Sequence, residues 1–377
     1  MIDFRYHIVS LIAVFMALAV GIVIGAGPLR DYLAEELSGQ VDQLRVERED
    51  LRQALDEAEA DGAETAQFVA AASPVLLSGA LEGRTVAVVE LPGAGGDAVD
   101  AVLARLDQAG AEVTSRTVLA EGWTDPGQRA FRSGIAGNIA AYLNPQPDDD
   151  TGADQILGTA LGQALTLRDP ENTGQASEQA EAMYDLLISS DLIEEIEAPS
   201  APAYATVVID GTEEVEDVEL AGQTNVVLIS TLTGLARTGE GNVLAGAARE
   251  EGNLVLAVRE QEALSEAMST VDGVDLITGQ VTVPLALAAD IAGSGGAYGT
   301  TDSAEEGFPS TTMLPPPDPE DFAPGSPDAP ETDADTGAGE DAEDGEAGDG
   351  AAGTDDTDEQ DDGAGQEDTG ADGVNEG

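Results

Sequence analysis

The spacing of hydrophobic positions changes along the chain, and each change predicts a different kind of element. From Ile8 to Gly27, IVSLIAVFMALAVGIVIGAG, 20 residues pass without a charge. At about 1.5 Å per helical residue the run spans roughly 30 Å, the thickness of a bilayer's hydrocarbon core. The competing reading is a cleaved signal peptide. Its apolar core would be unusually long, Asp3 would sit in its basic region, and Pro28 follows the one small-residue cluster, Gly25-Ala26-Gly27. The expectation is therefore an uncleaved membrane helix over 8–27 behind a flank of residues 1–7. Ala17, Gly21 and Gly25 recur every four residues, a ridge that lets two helix backbones approach in lipid.

Beyond Pro28 the pattern becomes a heptad. Leu37, Val41, Leu44, Arg48, Leu51, Leu55 and Ala58 are spaced 4, 3, 4, 3, 4 and 3, with Glu47, Glu49, Asp50 and Arg52 between them. A seam this narrow suits a coiled coil better than a helix packed on its own domain. Arg48 at a seam position lowers stability but restricts register and partner number. A parallel coiled-coil stalk over residues 29–73 is predicted, ending at Ser73-Pro74, and with it a homodimer or higher oligomer.

From residue 75 to 300 short apolar runs alternate with amphipathic stretches. Arg84–Glu90, Glu112–Val118, Tyr204–Asp210, Asn225–Thr231 and Asn253–Arg259 read as strands. Asp97–Ala109, Gln128–Leu143, Asp154–Leu167, Gln175–Ile196, Asn242–Glu251 and Gln280–Ile291 read as helices. That alternation predicts an α/β domain with a largely parallel sheet. After Gly295 the packing signal stops. Pro315-Pro316-Pro317 gives way to Asp/Gly/Ala/Thr low complexity, so residues 305–377 are expected to be a disordered acidic tail.

Charge narrows the functional classes. The 75 Asp+Glu outweigh 14 basic residues, all arginine, for a net charge of −61. No surface of such a chain can neutralise phosphates, so nucleic acid is excluded as a partner. Of the acidic residues, 26 fall between Asp302 and Gly377, where there is no basic residue. The absence of Cys excludes disulfides, zinc ribbons and thiol nucleophiles, and one histidine, His7, excludes a His-based triad.

Three segments carry candidate chemistry. Gly93, Gly95 and Ala98 match G-x-G-x-x-A in the turn after the first domain strand, but no Arg or Lys lies in that turn to favour a phosphate. Asp148-Asp149-Asp150 with Asp154 suggests calcium, yet Thr159 stands where an EF-hand needs its twelfth-position Glu. Ser269 to Asp275, STVDGVD, gathers two hydroxyls and two carboxylates with no base to activate them, and reads as a turn with capping groups. The expectation is a protein that is not an enzyme, with no cofactor and no assigned metal ligands.

The opening MIDFRYHIVSLIAVFMALAVGIVIGAGPL resembles the N-terminus of the actinobacterial MctB-like copper transporter family. The similarity continues through the stalk, Leu81–Val89, Trp123–Pro126, Ser269–Asp275 and Gly295–Gly299, covering roughly residues 1–300. It implies a single-pass cell-envelope protein with most of its chain outside the cytoplasm, a role in copper transport or homeostasis, and copper ion and an envelope protein as partners. Arg5 on one side of the span and Arg30 on the other leave the orientation open on charge alone. The alternative is an oligomeric scaffold that docks envelope or division machinery through its stalk and α/β domain. Copper selects thiolate, thioether and imidazole ligands. Here those are His7 and five methionines, Met1, Met16, Met183, Met268 and Met313, none adjacent in sequence.

Overall fold

The computed structural model describes residues 4–26, 28–212 and 214–317. The chain divides into two units, Met1–Glu331 and Thr332–Gly377. The second unit, and with it the part of the expected acidic tail beyond residue 317, lies outside the described residues.

Helix α1 (Phe4–Ala26) carries no charged side chain after His7, and its Phe4–Gly25 segment is long enough to cross a membrane. Helix α2 (Pro28–Leu77) is a single run of 50 residues. It does not stop at Ser73-Pro74, as its sequence suggests, but continues through Pro74 to Leu77. The reason is local. Pro74 has no N–H for the carbonyl of Ala70, and Ser73 Oγ donates to that carbonyl at 3.1 Å instead. Arg105 Nη1 in turn donates to Ser73 Oγ at 3.0 Å, tying the end of α2 to the globular part.

Seven strands form one sheet in the order β3-β2-β1-β4-β5-β6-β7. They are β1 (Thr85–Glu90), β2 (Glu112–Leu119), β3 (Ile193–Glu197), β4 (Ala205–Ile209), β5 (Gly241–Gly246), β6 (Ser269–Asp272) and β7 (Ala297–Tyr298). All pair in parallel except β3, which runs antiparallel along the β2 edge. The chain winds outward from β1 to β2, then returns to place β4 on the other side of β1. The expected parallel α/β class is what forms.

Helices cover both faces. On one face lie α4 (Arg129–Ile139), α5 (Ala153–Thr166), α6 (Glu178–Ser189), α7 (Val218–Leu235), α8 (Leu254–Arg259) and the short α9 (Glu262–Ser265), around Trp123, Leu161, Leu187, Leu232 and Val255. On the other lie α3 (Gly96–Gln108), α10 (Ile277–Ile291) and the end of α2, around Leu77, Val102, Leu106, Val207 and Leu287. Burial on both faces explains why β4 and β5 are wholly buried.

Five segments differ from their sequence reading. Asn225–Thr231 is not a strand but the middle of α7. Asp217 caps that helix by accepting from the N–H groups of Glu219 and Leu220 at 3.0 and 3.1 Å. Its buried positions Asn225, Leu228, Thr231, Leu232 and Leu235 keep helical spacing, while Val226 faces out. Asn242–Glu251 is not a helix, because Gly241–Gly246 is bonded between β4 and β6 as a central strand. Asn253–Arg259 is α8, with Leu254, Val255 and Val258 on its buried side. The helix expected to reach Ile196 ends at Ser189, where Asp191 adopts a left-handed conformation (φ 53°) and the chain turns into β3. Ser269–Asp272 is β6 rather than a capping turn.

Residues 305–317, expected to be disordered, instead pack against the domain. Glu305 N donates to Ala297 O at 2.8 Å, Leu314 packs against the core, and Pro315 O accepts from Arg84 Nη1 at 3.0 Å. Arg84 is itself paired with Glu240 at 2.8 Å in a nearly buried ion pair. A proline-rich segment can dock in extended form without helical or strand periodicity, which is why composition did not reveal it.

Candidate functional site

In a doubly wound parallel sheet, ligands bind outside the carboxyl ends of the strands where the strand order reverses. Here that point lies between β1 and β4. The two strand ends are held together by Leu91 N donating to Ile209 O at 2.8 Å. The loops that follow approach so closely that a Cβ on Gly211 would stand 2.9 Å from Gly93 O. Between these loops, α7 and the segment before α8 opens a crevice of about 390 Å³. Its lining includes Pro92, Gly93, Asp210, Gly211, Val215, Leu220, Thr224, Asn225, Leu228, Asn253 and Leu254.

Asp210, the first residue after β4, is the distinctive group. Burial pushes its carboxyl up to about 6, opposed by a hydrogen bond from the Gly211 amide. The other polar groups of the wall are largely engaged. Asn225 Nδ2 donates to Gly252 O at 2.9 Å, and Asn253 Oδ1 accepts from the amides of Arg249 and Glu250 at 2.9 and 3.0 Å.

Of the motif residues Gly93, Gly95 and Ala98, Gly93 alone lines this crevice. The turn leads into α3 with Gly95 at the N-cap, no capping side chain and Asp97 in the first turn, a poor reception for phosphate. The aspartate run gathers no cation site: Arg132 Nε donates to Asp154 Oδ1 at 2.9 Å, and Asp154 serves that buried arginine. Among the described residues no group of three or more His, Cys, Asp or Glu could hold a metal ion.

The Ser269–Asp275 segment is built as a structural clamp. Arg259 Nε donates to Thr270 Oγ1 at 2.9 Å, its Nη1 pairs with Asp272 at 3.0 Å, and its Nη2 donates to Tyr298 O at 2.8 Å. Burial opposes the charge of Asp272. Thr301 Oγ1, the Thr300 amide and Arg259 outweigh it and hold the carboxyl below the usual range. Ser269 Oγ donates to Asp290 at 2.6 Å, and Asp275 pairs with Arg249 at 2.6 Å. No nucleophile is left free in this segment.

The soft ligands are scattered. Met183 and Met268 are buried in the core, Met313 is exposed, and His7 and Met16 both lie on α1, about 13 Å apart along its axis. Along α2 every seam position, Leu37, Val41, Leu44, Arg48, Leu51, Leu55 and Ala58, is exposed. Ala17, Gly21 and Gly25 are exposed on α1, with nothing within 4 Å of a Cβ placed on either glycine.

A family described as "Copper transport outer membrane protein, MctB" matches residues 1–309. The chain belongs to the MctB family. Copper transporter MctB of Mycobacterium tuberculosis and that of Mycobacterium bovis are each 30% identical to it over 321 residues, covering 81% of this chain and 98% of theirs. The Mycobacterium leprae protein of the same name is 29% identical over 298 residues, 76% of this chain and 92% of its own. The MctB match thus takes in α1, α2, the whole sheet and the first residues of the C-terminal segment. These relatives are named as transporters and not as enzymes. Sequence reasoning did not single out Asp210, Thr224 or Asn225 in this MctB chain. The signal for the first was present, since Asp210-Gly211 marks a turn at the end of a buried strand.

Proposed function

We propose that the protein takes part in copper transport at a membrane of the cell envelope, with α1 as its anchor and copper as cargo. The observation that carries this reading is membership of a family whose named relatives are copper transporters. The apolar length of α1 supports anchoring. In this reading residues 8–27 lie in the bilayer and the bulk of the chain lies outside the cytoplasm. The open sheet is covered by helices on both faces, which leaves α1 as the candidate membrane span among the described residues.

One helix encloses no pore. Passage of an ion therefore needs several copies of α1 or a partner envelope protein. Two features favour assembly of copies: the ridge of Ala17, Gly21 and Gly25 on α1, and the exposed seam from Leu37 to Ala58 on a 50-residue helix. In this reading residues 29–73 are a coiled-coil stalk that holds the α/β domain of residues 75–300 away from the bilayer. The family likeness favours transport over a purely scaffolding role. The test is copper content in cells that lack the protein, against cells complemented with the full chain. Altered copper content, restored by the full chain, is expected; unchanged content and unchanged copper tolerance would reject the reading.

A further inference from the structure

The crevice between β1 and β4 has no part in the transport reading, and its chemistry selects one class of occupant. Its volume, about 390 Å³, is in the range of small-molecule sites and too large for a single ordered ion. Six of its lining residues are apolar: Pro92, Val215, Leu220, Ala221, Leu228 and Leu254. Asp210 lines the same crevice, and among the described residues no arginine is paired with it. The chain has no lysine, and the one basic residue in the surrounding loops, Arg249, bonds both oxygens of Asp275 through Nη2 at 2.8 and 2.6 Å. A half-buried carboxylate without a counter-charge is costly, and a bound cation reduces that cost. Anions are repelled. A hard divalent cation lacks its oxygen cage, since no cluster of three acidic groups forms among the described residues.

We propose that this crevice binds a small organic monocation, a primary ammonium with a short aliphatic body, the ammonium on Asp210 and the body against Leu228, Leu254 and Pro92. The charged groups around Asp210 are Glu90 on β1, paired with Arg116; Asp97 in the turn into α3; Glu214, Glu216 and Asp217 before α7, and Glu219 in its first turn; and Arg249, Glu250 and Glu251 after β5. Glu213, in the same loop as Glu214, is outside the described residues. Nearly all are acidic and reinforce selection of a cation. Binding requires an ionised Asp210, whose carboxyl titrates near 6 because of its burial. At pH 5 about one carboxyl in eleven is ionised, so affinity falls roughly tenfold from its value at pH 8.

The test is calorimetric titration of the full chain in detergent with n-butylammonium chloride, against detergent blanks, and with butanoate and Mg²⁺ as comparison probes. Saturable binding at millimolar or tighter concentration is expected at pH 8. It should weaken at least tenfold at pH 5 and in Asp210→Asn. Ala221→Phe, which fills the crevice from a half-buried position on α7 and leaves Asp210 in place, should also abolish it. Absence of saturable binding would overturn the proposal, as would binding unchanged by Asp210→Asn or by Ala221→Phe. Equal binding of butanoate or Mg²⁺ would overturn it too, by showing charge screening or a hard-cation site instead.

Discussion

A single carboxyl illustrates how position within a fold sets chemistry. The chain carries 75 acidic side chains, and Asp210 differs from most because it directly follows the buried strand β4 and is itself half-buried. Its folded-state value of about 6 lies above the ordinary 3.8, so the native protein holds this proton more tightly than the unfolded chain does. The sign follows from linkage: stability from this group is complete below about pH 4 and is lost as pH rises towards 6. Asp210→Asn should therefore raise the thermal midpoint at pH 7–8, by an amount corresponding to at most about 3 kcal/mol. The gap between variant and wild type should close below about pH 4. Melting curves across pH 4 to 8 check this, and a variant less stable than wild type at pH 7 would contradict it.

At the scale of elements, close approach of backbones decides which helices can pack. Helices α5 and α7 meet through glycines: a Cβ on Gly158 would overlap the carbonyl oxygen of Thr231, and one on Gly234 would overlap that of Gln155. Backbone cannot move aside as a flexible side chain can, so Gly158→Ala should cost about 3 kcal/mol or more. Denaturant unfolding measures it; a change below about 1 kcal/mol would mean that the helices separate freely. Helix α2 presents the opposite case, a long element whose apolar stripe is exposed and has no partner among the described residues. Leu44 and Leu51 are 63% and 65% exposed, and burial in a coiled coil would make each worth about 2–5 kcal/mol. The double variant Leu44→Ala, Leu51→Ala should convert an oligomer to monomer in sedimentation. A wild-type protein already monomeric would remove the stalk assignment.

For the whole molecule the decisive question is where copper could be held. A fragment of residues 29–317, which keeps the C-terminal segment packed on the sheet, contains no Cys and no His. Of its methionines, Met183 and Met268 are core residues and Met313 is alone on the surface. Cu(I) needs two or three soft donors and Cu(II) favours imidazole. Titration of this fragment against a competing chelator should therefore show no stoichiometric copper site tighter than about micromolar. A tight site surviving excess Mg²⁺ and Ca²⁺ would place cargo binding in the α/β domain rather than at α1 or on a partner. The net charge of −61 can still concentrate cations near the surface, a diffuse effect that salt screens.

Much of this architecture was legible because its determinants are local. An uncharged run of 20 residues must leave water, a 3-4 heptad spacing defines one helical stripe, and β-branched runs such as Thr85–Val89 bounded by turns give buried strands. The class followed from the alternation of such runs. Tertiary structure decided the rest wherever local preference was weak or contrary. Asn225–Thr231 has strand-like composition, yet the cap at Asp217 and a buried face against α5 made it helix. Gly241–Gly246 has little strand preference of its own and became a strand because β4 and β6 flank it. The same holds for the crevice. Pro92, Asp210, Leu228 and Asn253 are far apart in sequence, and only the return of the chain from β1 to β4 brings them around one crevice. A periodic pattern specifies which face of an element is buried, but which other element covers it depends on the packing of the whole chain, and the site exists only at that level.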